Sequence, residues 1–177
     1  KDFDWLERHI IKEVEVEKPS TLQTVINRGT LKCGVNDNLT GFGVLTAAGT
    51  FEGFDVDYCK AVAAAILGDA SKVEYVPLTA SARFEALGAG EIDLLIRNTT
   101  WTASRDRDLA NDFTATTFYD GQGMMVYADS GYKTIEDMSG ATVCVLQGTT
   151  TELNLDDRFT KSGIPYTPLT FETNDPL

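Results

Sequence analysis

Apolar and polar positions change rhythm several times along the chain. Thr21 to Arg28 carries Leu22, Val25 and Ile26 at helical spacing, and Gly29 stops the pattern. Leu31, Cys33 and Val35 then alternate with Lys32 and Gly34, the period-two signature of a strand. Asn36 to Gly53 is glycine-rich, has little periodicity and reads as loop. The helical rhythm returns from Asp55 to Leu67, with Val56, Cys59, Val62, Ala63 and Ile66 on one face and Gly68 at the end. Val73 to Leu78 predicts a second strand. Ser81 is placed to cap a helix reaching about Gly88, with Phe84 and Leu87 inward. Ile92 to Ile96 is nearly all apolar, as in a strand buried on both faces. Strands alternating with helices in this way predict a parallel α/β sheet with right-handed crossovers.

After Trp101 the pattern differs. Phe113 to Tyr119 reads as extended, Gly121-Gln122-Gly123 breaks it, and Met124 to Tyr127 is apolar again. Val143 to Leu146 predicts a strand. Thr149 and Glu152 then have capping-box spacing, so a helix starts there and ends near Gly163. Tyr166 to Phe171 predicts one more strand. The chain therefore divides into a poorly ordered arm over 1–20, a first α/β lobe over 21–120, and a partial second α/β lobe over 121–177.

Composition narrows the classes. A length of 177 residues suits one domain or two small ones. Lys+Arg number 15 and Asp+Glu 27, a net charge of −12 that excludes nucleic acid and anionic membranes as favoured partners. The longest apolar run, Ala61 to Leu67, is far short of the ~20 residues that cross a bilayer. Residues 1–20 are charged throughout and do not read as a secretory leader, so an exported protein is expected to have lost its leader already. The 3 cysteines include no CxxC pair, and His9 is the only histidine, so no metal site is expected.

Catalytic templates find no support. A lone histidine in the arm rules against Ser-His-Asp or Cys-His devices, and no glycine-rich phosphate loop follows a strand. No cofactor and no catalytic residue is expected. What remains is a set of binding groups beyond the carboxyl ends of strands, where open α/β sheets hold their ligands. Asn36 follows the first strand, Asn98-Thr99-Thr100 the Ile92–Ile96 strand, and Gly148-Thr149-Thr150 the Val143–Leu146 strand. Hydroxyls, an amide and free N–H groups at a helix start can cradle a small carboxylate, and Arg105 can add a bidentate contact. The same residues also read as caps and turns.

Several motifs, in order, carry a resemblance. Phe51-Glu52-Gly53-Phe54-Asp55-Val56-Asp57 before an Ala-rich helix is similar to the opening of the polar amino-acid-binding proteins of bacterial ABC transporters. Ala86-Leu87-Gly88-Ala89-Gly90-Glu91-Ile92-Asp93, Thr100-Trp101-Thr102-Ala103-Ser104-Arg105, Tyr119-Asp120-Gly121-Gln122-Gly123 and Gln147-Gly148-Thr149-Thr150 follow that family's sequence from about Thr21 to Phe171. Within it, the general L-amino-acid-binding subgroup is most similar, through Asn98-Thr99-Thr100-Trp101-Thr102 and Thr149 to Leu155.

The resemblance implies the type II periplasmic-binding-protein fold, two lobes with mainly parallel sheets, the second incomplete here. It implies a periplasmic protein, not an enzyme, that captures one polar L-amino acid and delivers it to a membrane permease. Arg105 would hold the α-carboxylate, assisted by Thr100 and the Asn98 backbone, with Gly148 and Thr149 approaching from the second lobe. Asn36 falls at a first-lobe ligand position. Arg83 aligns with an arginine that reads a side-chain carboxylate in acidic-amino-acid binders, and also reads as a solvated helix arginine. Leu39 stands where many relatives stack an aromatic ring, with Phe42 a partial substitute. Alternatives on the same fold are a cyclohexadienyl-dehydratase-like enzyme and a sensory ligand-binding domain. Cys33, on the first strand, and Cys59, on the helix packed against it, are placed to bridge in an oxidising compartment; the competing reading is three buried free thiols. Cys144 is expected to be unpaired within the chain. An unfinished second lobe leaves edges exposed and favours self-association.

Overall fold

The computed structural model describes residues 19–109 and 111–173. The expected arm therefore lies outside the described residues, apart from Pro19 and Ser20. Helix α1 (Thr21–Arg28) starts where Ser20 Oγ accepts the Gln23 N–H and ends at Gly29. Of its expected apolar side only Val25 is buried, against Leu31 and Ala63, while Leu22 and Ile26 stay exposed. Two turns reach the core through one position.

β1 (Leu31–Val35) is the centre of a parallel sheet. It lies between β5 (Val73–Pro77) and β6 (Leu94–Leu95). The β6 strand is shorter than the expected Ile92–Ile96, and its two residues are half-buried; Ile92, ahead of it, is the buried one. Asp93 interrupts the apolar run. Its carboxylate accepts the Lys32 N–H at 2.8 Å and pairs with Arg28, while its own N–H donates to the Lys32 carbonyl.

The expected loop over 36–53 is instead a small antiparallel meander. It consists of β2 (Asn38–Leu39), β3 (Gly43–Leu45) and β4 (Phe51–Glu52). Strands of two or three residues are too short to display alternation. A Cβ on Gly53 would sit 2.2 Å from the Phe42 carbonyl oxygen, and its φ is 130°, so only glycine leads from β4 into α2 (Phe54–Leu67). This helix buries Asp55, Val56, Cys59 and Ala63. Cys59 is joined to Cys33 by a disulfide, both fully buried, which ties α2 to the central strand. Cys144 is free and exposed.

α3 (Arg83–Gly88) differs from expectation at both its start and its inner face. Ala82 is its cap residue, and the Thr79 hydroxyl, not Ser81, accepts the Ala82 N–H. Arg83 and Ala86 are the buried positions, with Phe84 and Leu87 half-buried. A six-residue helix docks along one i, i+3 row, and here the small Ala86 permits the approach.

α4 (Ala103–Asp108) follows, capped by the Thr102 hydroxyl. A second core then forms around Met138, Val143, Val145, Leu155 and Phe159. Its frame is a 3₁₀ turn (Glu136–Met138), β7 (Thr142–Leu146), α5 (Thr150–Lys161) and β8 (Thr167–Phe171), with β7 and β8 parallel. The capping box forms: Thr149 Oγ1 accepts the Glu152 N–H, and the Glu152 carboxylate accepts the Gly148 N–H. Residues 113–119, expected to be extended, and the apolar 124–127 belong to no strand. Among the described residues no strand pairs with them, and Tyr119, Met125 and Tyr127 stand 87%, 91% and 86% exposed.

Candidate functional site

The carboxyl ends of β1, β5, β6 and β7 converge with the start of α3. β1 delivers Asn36, which is buried; its Nδ2 donates to Asn98 Oδ1 at 3.2 Å and its Oδ1 accepts the Asn38 N–H at 3.1 Å. β6 delivers Arg97, Asn98, Thr99 and Thr100. The Thr102 cap sets the pitch of α4, which carries Arg105 back so that its Nη1 donates to the Thr100 carbonyl at 2.9 Å.

Arg105 and Arg83 meet over the same groups. Arg105 Nη2 and Arg83 Nη2 both reach the Gly148 carbonyl, at 3.4 and 3.3 Å. Both guanidiniums also lie over the Phe84 ring, with Cζ 5.1 and 5.0 Å from its centroid. Phe84 is thus half-buried because its face is taken by two cations rather than by the core. Arg83 is 2% exposed and its Nε has no hydrogen-bond partner. Burial, reinforced by the nearby Arg97 and Arg105, lowers its pKa to about 9, and it remains a cation at neutral pH. Burial also lowers Arg105.

Arg97 is the third guanidinium. It donates through Nη1 to the Leu78 carbonyl and through Nε to Asn98 Oδ1 at 3.3 Å. Burial lowers its pKa while Asp37 and Asp55 raise it. Asp55, at the start of α2, is buried with its Oδ2 unpartnered; burial raises its pKa to about 6 against the pull of Arg97. Among the described residues, none of the three arginines forms an ion pair within 4.0 Å. Arg83 and Arg105 are therefore concentrated positive charge in a chain of net charge −12.

The second sheet contributes mainly backbone. Gly148 has φ 72°, and a Cβ there would lie 3.0 Å from Ser81 Cα, so the β7–α5 turn comes against the α3 approach only as glycine. The Thr149 hydroxyl is engaged locally, donating to the Leu146 carbonyl at 2.7 Å while capping α5. Thr150 Oγ1, one residue on, is 3.0 Å from Thr100 Oγ1. Phe42 has its ring edge-on to Phe54 and Phe118, and Leu39 pairs with Gly43 in the meander. The structure thus brings together Asn36, Arg83, Asn98, Thr100, Arg105 and Gly148, holds the Thr149 hydroxyl in the cap, and places Phe42 in an aromatic cluster of its own.

Sequence reasoning named Thr150 among the strand-end hydroxyls and missed Arg97 and Asp55. Arg97 had a signal, a cation ending an apolar run beside Asn98. Asp55 had none, since an acid in a first helical turn ordinarily reads as a solvated partner of the helix dipole. Two surface clefts lie away from these arginines, one beside Thr21, Leu87 and Asp93 and one beside Gln122, Met124, Asn154 and Arg158. Among the described residues no group of His, Cys, Asp and Glu is placed to hold a metal, and no helix is long and apolar enough to cross a membrane.

The chain is 55% identical over 150 residues to the glutamate/glutamine/aspartate/asparagine-binding protein BztA of Rhodobacter capsulatus, a match covering 85% of this chain and 44% of the relative. It is 52% identical over 153 residues to the general L-amino acid-binding periplasmic protein AapJ of Rhizobium johnstonii, covering 86% and 45%. In structure it matches an ABC transporter periplasmic binding protein from Brucella ovis with glutathione bound, with TM-score 0.83 and 48% identity over 90% of this chain and 50% of that one. The chain spans about half the length of the relatives it matches. Residues 31–176 match the family model described as bacterial extracellular solute-binding proteins, family 3, and the chain belongs to that family.

Proposed function

We propose that this chain supplies a first lobe, 21–120, and part of a second, 121–177, of an extracytoplasmic protein that captures a polar L-amino acid in the periplasm and passes it to an ABC permease. The observation that carries this reading is the convergence of Arg83 and Arg105, without carboxylate partners, on one carbonyl oxygen. A ligand carboxylate is a stronger acceptor than a neutral carbonyl and displaces it. Arg105, with Thr100 and the Asn98 backbone, takes the α-carboxylate. Gly148 and Thr149 approach through their backbone from the second lobe, and Asn36 lines the first. Arg83 reads a side-chain carboxylate or carboxamide, in keeping with relatives named for glutamate, glutamine, aspartate and asparagine. No step of this reading requires a metal, a cofactor or bond-breaking. The exposed Tyr119, Met125 and Tyr127 also favour self-association, which light scattering of the purified protein tests.

Calorimetric titration of L-glutamate, L-glutamine and L-alanine into the full chain tests the reading. Arg105→Ala should weaken all three by roughly 2–5 kcal/mol. Arg83→Ala should weaken glutamate more than alanine. No binding of any of the three, or an Arg105→Ala protein with unchanged affinity, overturns the assignment.

A further inference from the structure

We propose that Arg97 is a positioning residue: it orients the side-chain amides of Asn98 and Asn36 so that Asn98 presents its NH₂ as a hydrogen-bond donor to the ligand. This rests on the amino-acid site proposed above. A guanidinium has donors only, so the end of Asn98 that faces Arg97 Nε at 3.3 Å must be the amide oxygen. That oxygen also accepts from Asn36 Nδ2 at 3.2 Å. Asn36 is then obliged to turn its own oxygen to the Asn38 N–H, as it does at 3.1 Å. Reversing Asn36 would set oxygen against oxygen at Asn98 and NH₂ against N–H at Asn38. Asn36 is buried, so no water repairs such a mismatch.

The relay therefore has one self-consistent arrangement, and its origin is the residue that cannot accept. Asn98 is exposed, and with its oxygen held from two sides its Nδ2 is the end left for a ligand. A donor there recognises a carbonyl or carboxylate oxygen and turns away an ammonium group.

Arg97 is anchored for this task. Nη1 is bonded to the Leu78 carbonyl at the end of β5, which fixes the guanidinium against the sheet. Asp37, beyond β1, and Asp55, at the start of α2, face its charge. Among the described residues Arg83 and Arg105 have no such acids, so Arg97 differs from them in having its charge met inside the protein. It orients neighbours, while the other two are left to meet an anion.

The test combines side-chain amide NMR of the unliganded full chain with calorimetry of L-glutamate, for Arg97→Met and Arg97→Lys. Arg97→Met should shift the Asn98 and Asn36 amide signals and weaken glutamate ~10-fold, about the worth of one good hydrogen bond. Arg97→Lys, still a donor only, should recover most of that loss. If Arg97→Met does not fold, Asn98→Asp decides, because it keeps an acceptor for Arg97 but removes the outward donor; it should weaken glutamate ~10-fold or more. Unchanged amide signals in Arg97→Met, or unchanged glutamate affinity in Asn98→Asp, overturns the proposal. If the unsubstituted protein binds no amino acid, the functional reading falls, and the amide signals still decide the orientation of Asn98.

Discussion

Around β1 the chain buries nearly the whole central strand, four of its five positions, whereas β7 buries only Val143 and Val145 and leaves Thr142 and Cys144 exposed. β1 has a neighbour on each edge and a helix bound to it by a disulfide. Among the described residues β7 has one neighbour, β8, four of whose five residues are exposed. The two regions contribute to the site in matching fashion. The better-packed one supplies guanidiniums and amides. The other supplies the Gly148 carbonyl. Side chains that must hold a charge in place need packing on all sides, because burial and neighbours restrict their rotamers. A backbone group at a helix start is placed by the cap alone, so a thinner core suffices.

This comparison can be broken or sharpened by experiment. Phe159 is fully buried and packs against Tyr166 with ring centroids 4.6 Å apart, so Phe159→Ala should cost roughly 3–5 kcal/mol. Hydrogen exchange should then quicken in β7, α5 and β8 and leave β1 and α2 protected. Equal acceleration in both regions would show one cooperative unit and end the contrast.

Removing the disulfide with a Cys33→Ala, Cys59→Ala double variant should weaken the β1 region instead. The bridge spans a sequence separation of 26, for which loop closure contributes about 3–4 kcal/mol. Denaturation in urea, followed by Trp101 fluorescence and by exchange at β1, checks both the size and the location of the loss.

The smallest effect expected is a pH dependence confined to the first region. Asp55 has its pKa raised from 3.8 to about 6 by burial, so the folded protein holds this proton more tightly than the unfolded chain. Its contribution is fully present below about pH 4 and is lost as pH rises through about 6, by an amount of about 3 kcal/mol. Asp55→Asn should remove that slope and raise stability at pH 7. Urea midpoints measured from pH 4 to pH 8 decide the matter, and parallel curves for the two proteins would refute it.

Much of the framework was legible because it follows from short-range rules. Period-two alternation located β1, the short apolar run Val143 to Leu146 located β7, and the Thr149/Glu152 spacing located α5, since a cap bonds within its own turn. Glycines past α1 and α2 closed those helices where a left-handed residue is required. The meander was not legible, because strands of two or three residues carry too few positions to show a period. The inner face of α3 was misread because Phe84 ranks above Arg83 in hydrophobicity, while the face of the Phe84 ring is taken by the guanidiniums of Arg83 itself and of Arg105 from α4.

The sequence by itself determined the order of the main helices and parallel strands, the α/β class and the residues at the strand ends, all of which depend on neighbours a few positions apart. Only the tertiary structure decided that Arg83 is buried, that it shares the Gly148 carbonyl with Arg105, and that Arg97 stands among Leu78, Asn98, Asp37 and Asp55. Those contacts join residues from separate strands and helices. The field and solvation of a charge depend on what the fold brings around it, and no local pattern along the chain encodes that.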